Sequence, residues 1–252
     1  MKCSFSLVFL LVFLVFTSNL EAQKRRVLPK PKVAQKANAN TNTAVVVDER
    51  LAVLRSEPSL FANSIQRMRL GRIVTISGTK EADGVTFYRV TASRNNYGWV
   101  QADAVFGKFR RGDDERFAQL IQASDDFEQI EKATTFLETY SASPLRPAIL
   151  LLLGDLVEET SLKLSNDATR RLVRREMAAS GAPLHSFYLN FVSLDRYRRL
   201  GIRFLFNSSM KQYHYDGASW REIVEKFPKS PEAAEAQKRL DALNEKMERK
   251  AN

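Results

Sequence analysis

The sequence predicts a two-domain α+β chain, a small β-barrel followed by a stack of α-helical hairpins. Three observations carry that expectation. Between Val45 and Phe106, short β-rich runs alternate with Gly, Pro and Asn turns. After Gly107 the apolar spacing lengthens to that of helices. Two stretches of the helical part then match each other at a fixed offset of 87 residues. The length, 252 residues, suits one or two domains of the usual ~100–200 residues. Apolar residues make up 44% of the chain and charged residues 27%, enough to bury an ordinary core. One Cys and two His exclude a disulfide scaffold, a Cys-rich zinc site and a His-rich metal centre.

Residues 1–22 read as a secretory signal peptide. Lys2 gives a small positive n-region, and Leu7 to Phe16 is an unbroken run of ten apolar residues. Leu20-Glu21-Ala22 offers a cleavage site with Ala at −1. The run falls short of the ~20 apolar residues of a bilayer-spanning helix. Lys24, Arg25 and Arg26 directly after it favour the alternative, an uncleaved anchor in the inner membrane. Cys3 precedes the apolar run, where a lipoprotein cysteine would follow it, and cleavage after Ala22 leaves no cysteine. The expected location is therefore periplasmic or secreted.

Residues 23–44 read as a basic, disordered linker. Six Lys and Arg stand there without an acidic residue, and Pro29 and Pro31 favour extended chain. The signal segment is neutral (Lys2 against Glu21), so this tail supplies +6 of the formal net charge of +10. The tail is expected either to be a solvated spacer or to be drawn to an anionic polymer or membrane surface. Nucleic acid is a poor candidate partner for an exported chain.

Residues 45–107 form the expected barrel. Val45-Val46-Val47 opens it, and Ala52 to Arg55 is a second run ended by Glu57-Pro58. From Arg72 to Ser77 the residues alternate, with Ile73, Thr75 and Ser77 on one face and Val74 and Ile76 on the other. Phe87 to Thr91 is another strand, Asn95 to Gly98 a turn, and Trp99-Val100 starts the last strand. Five short strands in so few residues imply a closed or nearly closed barrel.

Four short runs carry a resemblance here: Ala52-Val53-Leu54-Arg55-Ser56-Glu57-Pro58-Ser59, Leu70-Gly71, Tyr88-Arg89-Val90 and Gly98-Trp99-Val100. Together they make this stretch resemble the bacterial SH3-like domain. Ala52, Val53 and Glu57 depart from the family's first motif, and Glu57 lacks the freedom of a turn Gly. The resemblance implies a module that recognises cell-wall peptides, or that targets a neighbouring hydrolase. Arg55, Tyr88, Tyr97 and Trp99 are the candidate binding residues, since aromatics give large contact area at small entropic cost. Trp99 and Tyr88 equally suit the core of a small barrel, whereas Tyr97 in its turn is expected at the surface.

Residues 112–250 read as helical. Helices are expected from Asp113 to Ala123, from Asp125 or Asp126 to Thr139, from a Ser143-Pro144 start through Val157, from Asp167 to Ala179, and from Leu184 to Leu200. Two more run from Gly217 to Phe227 and from Ser230-Pro231 onward. Phe136-Leu137-Glu138-Thr139-Tyr140 with Ser143-Pro144 matches Ile223-Val224-Glu225-Lys226-Phe227 with Ser230-Pro231. Both resemble tetratricopeptide half-repeats of bacterial envelope proteins, which implies a stack that holds a partner chain. Their offset is not a multiple of that family's 34-residue period.

Eight aromatics fall between Phe187 and Tyr215, interleaved with arginines. They are either a recognition patch, with Tyr197, Arg198, Tyr213 and Tyr215 at its centre, or packing that seals the helices. Tyr213 to Gly217 looks like a turn. His185 and His214 have no metal-ligand spacing, and neither a serine-nucleophile elbow nor a phosphate-binding Gly loop is present. No catalytic residue, metal or cofactor is expected. The preferred reading is a non-catalytic envelope binding or scaffold protein whose partner is peptidoglycan or an envelope protein. The alternative is a cell-wall hydrolase, or its accessory, targeted by the barrel.

Overall fold

A computed structural model of the chain describes residues 42–171 and 194–248. The expected signal segment, nearly all of the linker, and the helix positions between 172 and 193 lie outside the described residues. Strands β1 (Thr43–Val46), β2 (Val53–Arg55), β3 (Ser64–Arg67), β4 (Ile73–Ala82), β5 (Val85–Ser93), β6 (Asn96–Gln101) and β7 (Val105–Phe106) come first. A 3-10 turn, Ala102–Ala104, separates the last two. They form one antiparallel sheet in the order β3-β2-β6-β5-β4-β1-β7. The expected closed barrel is thus an open sheet of seven strands, with β3 and β7 as its edges. β4 bends at an irregularity between Ile76 and Gly78, pairing with β1 near its start and with β5 along its length.

β1 starts at Thr43, inside the stretch expected to be linker. The correction has a physical cause: Thr43 pairs with Thr75, and Ala44 is buried. Asp83-Gly84 makes a two-residue hairpin turn with both residues at positive φ, the conformation for which Asp-Gly is suited. The Arg94-Asn95 turn joins β5 to β6, so Asn96 and Tyr97, expected in a turn, belong to the strand.

Helices α1 (Asp113–Gln122), α2 (Asp126–Thr139), α3 (Arg146–Arg171), α4 (Leu194–Arg198), α5 (Ala218–Lys226) and α6 (Ala233–Glu248) follow. α3 continues to Arg171, so no new helix begins at Asp167. Between α4 and α5 lies a hairpin that the sequence did not announce, β8 (Phe204–Asn207) with β9 (Gln212–Tyr215). Tyr213 to Tyr215 is therefore strand rather than turn. None of the helices among the described residues is long and apolar enough to cross a membrane.

Burial divides by strand alternation. Ala44 and Val46 join Leu54, Met68, Val74, Val90 and Val100 inside the sheet. Val45 and Val47 point the other way and, with Phe106, enter the helical core. There Phe106 stands edge-on to Phe117 at 5.9 Å, and Phe117 in turn packs on Phe136 and Tyr140.

The 87-residue match is visible in the backbone. In the α2–α3 connection, Tyr140 N–H donates to the Phe136 carbonyl, Ser143 N–H to Tyr140, and Arg146 N–H to Ser143. In the α5–α6 connection, Phe227 donates to Ile223, Ser230 to Phe227, and Ala233 to Ser230. Tyr140 and Phe227 also share one backbone conformation, φ/ψ −112/56° and −128/46°. Both Ser-Pro pairs stand in the turn just ahead of their helices, which begin at Arg146 and Ala233 rather than at the prolines, and the Ser143 hydroxyl accepts the Leu145 N–H.

α5 meets α3 at Gly154, where an added Cβ would run into the indole of Trp220 and the Ser219 hydroxyl. Gly154→Ala is expected to lower stability by about 1–3 kcal/mol, the range for overpacking a closed contact. Urea denaturation reads this directly, and an unchanged midpoint would contradict it.

Glu158, on α3, accepts the Tyr215 N–H at 2.8 Å, Lys246 Nζ at 2.8 Å and His214 Nδ1 at 2.9 Å. Burial pushes its pKa up, but the bonds from His214, Lys246 and the Tyr215 N–H outweigh that and hold it at about 2. Its stabilising contribution is thus complete above the ordinary carboxyl value of 4.5 and is lost as pH falls through about 2. Glu158→Gln is expected to be less stable at neutral pH and to show a shallower loss of stability over that window in acid-unfolding curves.

Candidate binding face

The candidate site is built by β-sheet register. In β6 the Gly98 and Val100 positions are buried on the inner side, which sends the side chains of Tyr97 and Trp99 to the opposite face. Arg55 of β2 pairs with Trp99, Trp99 pairs with Arg89 of β5, and Arg89 pairs with Gly78 of β4. Directly paired residues share a face, so Arg55, Trp99 and Arg89 form one row across three strands. Gly78 leaves the end of that row without a side-chain wall. Trp99 is half-buried and Arg89 exposed. Tyr97 is 63% exposed, opposite Thr91 on the same face.

The row is flanked by a tied-down loop, residues 56–63. Ser59 Oγ donates to Asp83 Oδ2 at 2.7 Å and the Leu60 N–H to the same oxygen at 2.8 Å. These two bonds, Ser59's first, lower the Asp83 pKa and keep its carboxylate charged. Arg55 Nη1 donates to the Ala62 carbonyl at 2.9 Å, which fixes the guanidinium stem beside Trp99. The loop presents Phe61, 89% exposed, and β3 presents Ile65, 47% exposed. A Cβ on Gly98 would strike the Arg55 carbonyl and crowd Ile65, so glycine is what lets β2 and Ile65 close on β6. Phe61, Ile65 and Tyr97 are three of the six large apolar side chains exposed among the described residues, and they belong to β3, β6 and the loop between β2 and β3.

Of the four candidate binding residues, Arg55, Tyr97 and Trp99 come together. Tyr88 does not. It faces the inner side, 8% exposed, edge-on to Phe109 at 5.6 Å. Trp99 does not fill the core, because the inner positions are already taken by Leu54, Val90 and Val100. Arg89, Ile65 and Phe61 were not singled out from sequence. Arg89 was legible: an inward Tyr88 turns its neighbour outward. Phe61 sits in a polar loop without periodicity and left no such signal.

The expected partner surface is corrected. Tyr197, Tyr213 and Tyr215 are 1%, 3% and 3% exposed. Tyr197 packs edge-on to Phe127 and Phe204, with the Arg196 guanidinium over Phe127 and Tyr197. Tyr213 meets Phe206, and Tyr215 meets Trp220 while its hydroxyl accepts the Ser219 N–H. These aromatics join α2, α4, the β8–β9 hairpin and α5, so they seal the fold. Arg198 alone is exposed, 3.7 Å from Asp195. His214 is buried against Glu158, and His185 lies outside the described residues. Among the described residues no three His, Cys, Asp or Glu side chains gather as a metal site.

Set against known proteins, the chain matches no family model, no curated protein and no solved structure.

Proposed function

We propose that this chain is a non-catalytic binding protein of the bacterial cell envelope, exported by its N-terminal segment. The sheet acts as an SH3-like module that recognises cell wall or an envelope protein. The observation that carries the reading is the Arg55–Trp99–Arg89 row with Tyr97 beside it. Two guanidinium groups bracketing a half-buried indole suit a ligand with carboxylates and flat apolar faces, as in the peptides and sugars of peptidoglycan. The bent β4 and the short 3-10 turn before β7 favour the SH3-like reading. The basic tail, residues 23–41, adds attraction to anionic polymer that carries no specificity.

The helical region is read as a divergent tetratricopeptide-like stack that binds a partner protein. Its support is the repeated α2–α3 and α5–α6 connection and the close seating of α5 on α3 at Gly154.

Co-sedimentation with purified peptidoglycan tests the first part. The chain from Gln23 is expected to pellet with the wall at high as well as low salt. Because interface hot spots typically cost more than 1–2 kcal/mol on truncation, Tyr97→Ala combined with Arg89→Glu is expected to weaken binding by about tenfold or more. Both side chains are exposed, so thermal stability should stay put. Pelleting that ignores the double substitution, or that disappears with the tail, would remove the face from the function.

A further inference from the structure

At the Asp83-Gly84 end of the sheet, a cavity of about 280 Å³ lies between the β4–β5 turn, the 3-10 turn and the loop entering α1. Thr86, Tyr88, Asp103 and Arg110 line it. It is separate from the Arg55–Trp99–Arg89 row, because Tyr88 faces the inner side of the sheet.

Arg110 is fixed without any ligand. Its Nε donates to Asp113 Oδ1 at 2.6 Å, and Asp113, wholly buried, also accepts the Gly107 N–H at 3.0 Å. The guanidinium stands 5.4 Å from the centre of the Phe106 ring and 6.0 Å from that of Tyr88. Burial acts to lower the Arg110 pKa, but the hydrogen bond and charge of Asp113 outweigh it and keep the group cationic. Its remaining nitrogens are poorly served. Nη1 is 3.5 Å from the Tyr88 hydroxyl, the outer limit of a hydrogen bond, and Nη2 is buried with no acceptor. Across the cavity Asp103 is exposed and already acts on Arg110 through its charge, but no hydrogen bond or ion pair joins it to another described residue.

One cavity thus holds a fixed, under-satisfied cation and an unpaired carboxylate. A simple anion would meet Asp103 as a like charge, and a simple cation would meet Arg110. A molecule carrying both charges satisfies both walls, and the volume falls just below the ~300–1,000 Å³ of pockets for drug-sized ligands. We propose that this cavity binds a small zwitterion, a free α-amino acid or a dipeptide, with its carboxylate toward Arg110 and its ammonium group toward Asp103. The site stands independently of the wall-binding face.

Amide chemical shifts of the full chain test it, with alanine, alanyl-alanine, acetate and methylammonium as probes. Alanine or alanyl-alanine is expected to give saturable shifts at Val85, Thr86 and Asp103. Acetate and methylammonium, each offering half of the charge pair, should bind about tenfold more weakly or worse, the factor set by one lost ionic contact. Asp103→Asn touches an exposed side chain without a partner, so it should leave thermal stability unchanged and weaken zwitterion binding by a similar factor. Absence of saturable shifts at millimolar alanine and alanyl-alanine would overturn the proposal. So would acetate binding as tightly as the zwitterions, which would reveal an anion site, or an Asp103→Asn variant that binds them unchanged.

Discussion

One short strand is buried on both faces, and the rest of the molecule is arranged around that fact. β1 sends Ala44 and Val46 into the sheet interior and Val45 into the helical core, with Val47 following it there. A strand covered on one side only would alternate apolar and polar residues, whereas Val45-Val46-Val47 is continuous because both sides exclude water. Phe106 of β7, beside β1, extends the same surface onto Phe117. The sheet and the helices therefore share a core, and the two expected domains are joined by apolar contact rather than by a bare linker. The row of Arg55, Trp99 and Arg89 lies on β2, β6 and β5, strands other than β1 and β7 that carry the shared core, and Arg89 and Tyr97 there are exposed.

The helical part rests on a different constraint, the free edge of a two-stranded hairpin. The N–H groups of Tyr213 and Tyr215 point away from β8 and would be left without partners in a buried position. α3 supplies the acceptors, Ser165 Oγ for Tyr213 and Glu158 for Tyr215, each at 2.8 Å. The helix thus does for β9 what a third strand would do, and it covers an edge that could otherwise pair with another chain. Glu158 is charged as a result, which requires Lys246 from α6 and His214 from β9 to converge on it. Removing one partner of such a buried group is costly because the others remain desolvated. The same cluster fixes α6 against α3, so the second helical hairpin is positioned by charge as well as by Trp220 on Gly154.

Legibility followed the strength of local pattern. The alternation of Ile73 to Ser77 and the Ser-Pro turns ahead of two helices were readable because the local residues there dictate backbone geometry. β3, with the sequence Ser-Ile-Gln-Arg, and the two-residue β7 were not, since each exists through pairing with strands distant in sequence. β8 and β9 were hidden by their own composition. Phe204-Leu205-Phe206 and Tyr213-His214-Tyr215 are apolar or aromatic throughout, so no period-two signal distinguishes them from a buried helix. That density of aromatics also suited a recognition patch, and the ring contacts to Phe127, Phe206 and Trp220 decide for packing. On the candidate face the same limit worked in reverse. Trp99 looked like core because it is large, but its place in the β6 alternation, fixed by Gly98 and Val100, turns it outward.

Long-range attraction and specific recognition are separable in this chain on physical grounds. The tail, residues 23–41, holds six cations, and whatever they attract is screened over a distance of about 8–10 Å at ordinary ionic strength. The face is different in kind. Arg55 is held by the Ala62 carbonyl, the 56–63 loop by Asp83, and Trp99 by its two neighbours in the ladder. Groups already held in place lose little freedom when a ligand arrives, so more of each contact survives as affinity. Arg110 follows the same logic on the other side of the sheet, anchored by Asp113 before anything binds. In the proposed reading the charges of the tail attract without choosing, and the charges fixed on the sheet are those that distinguish one ligand from another.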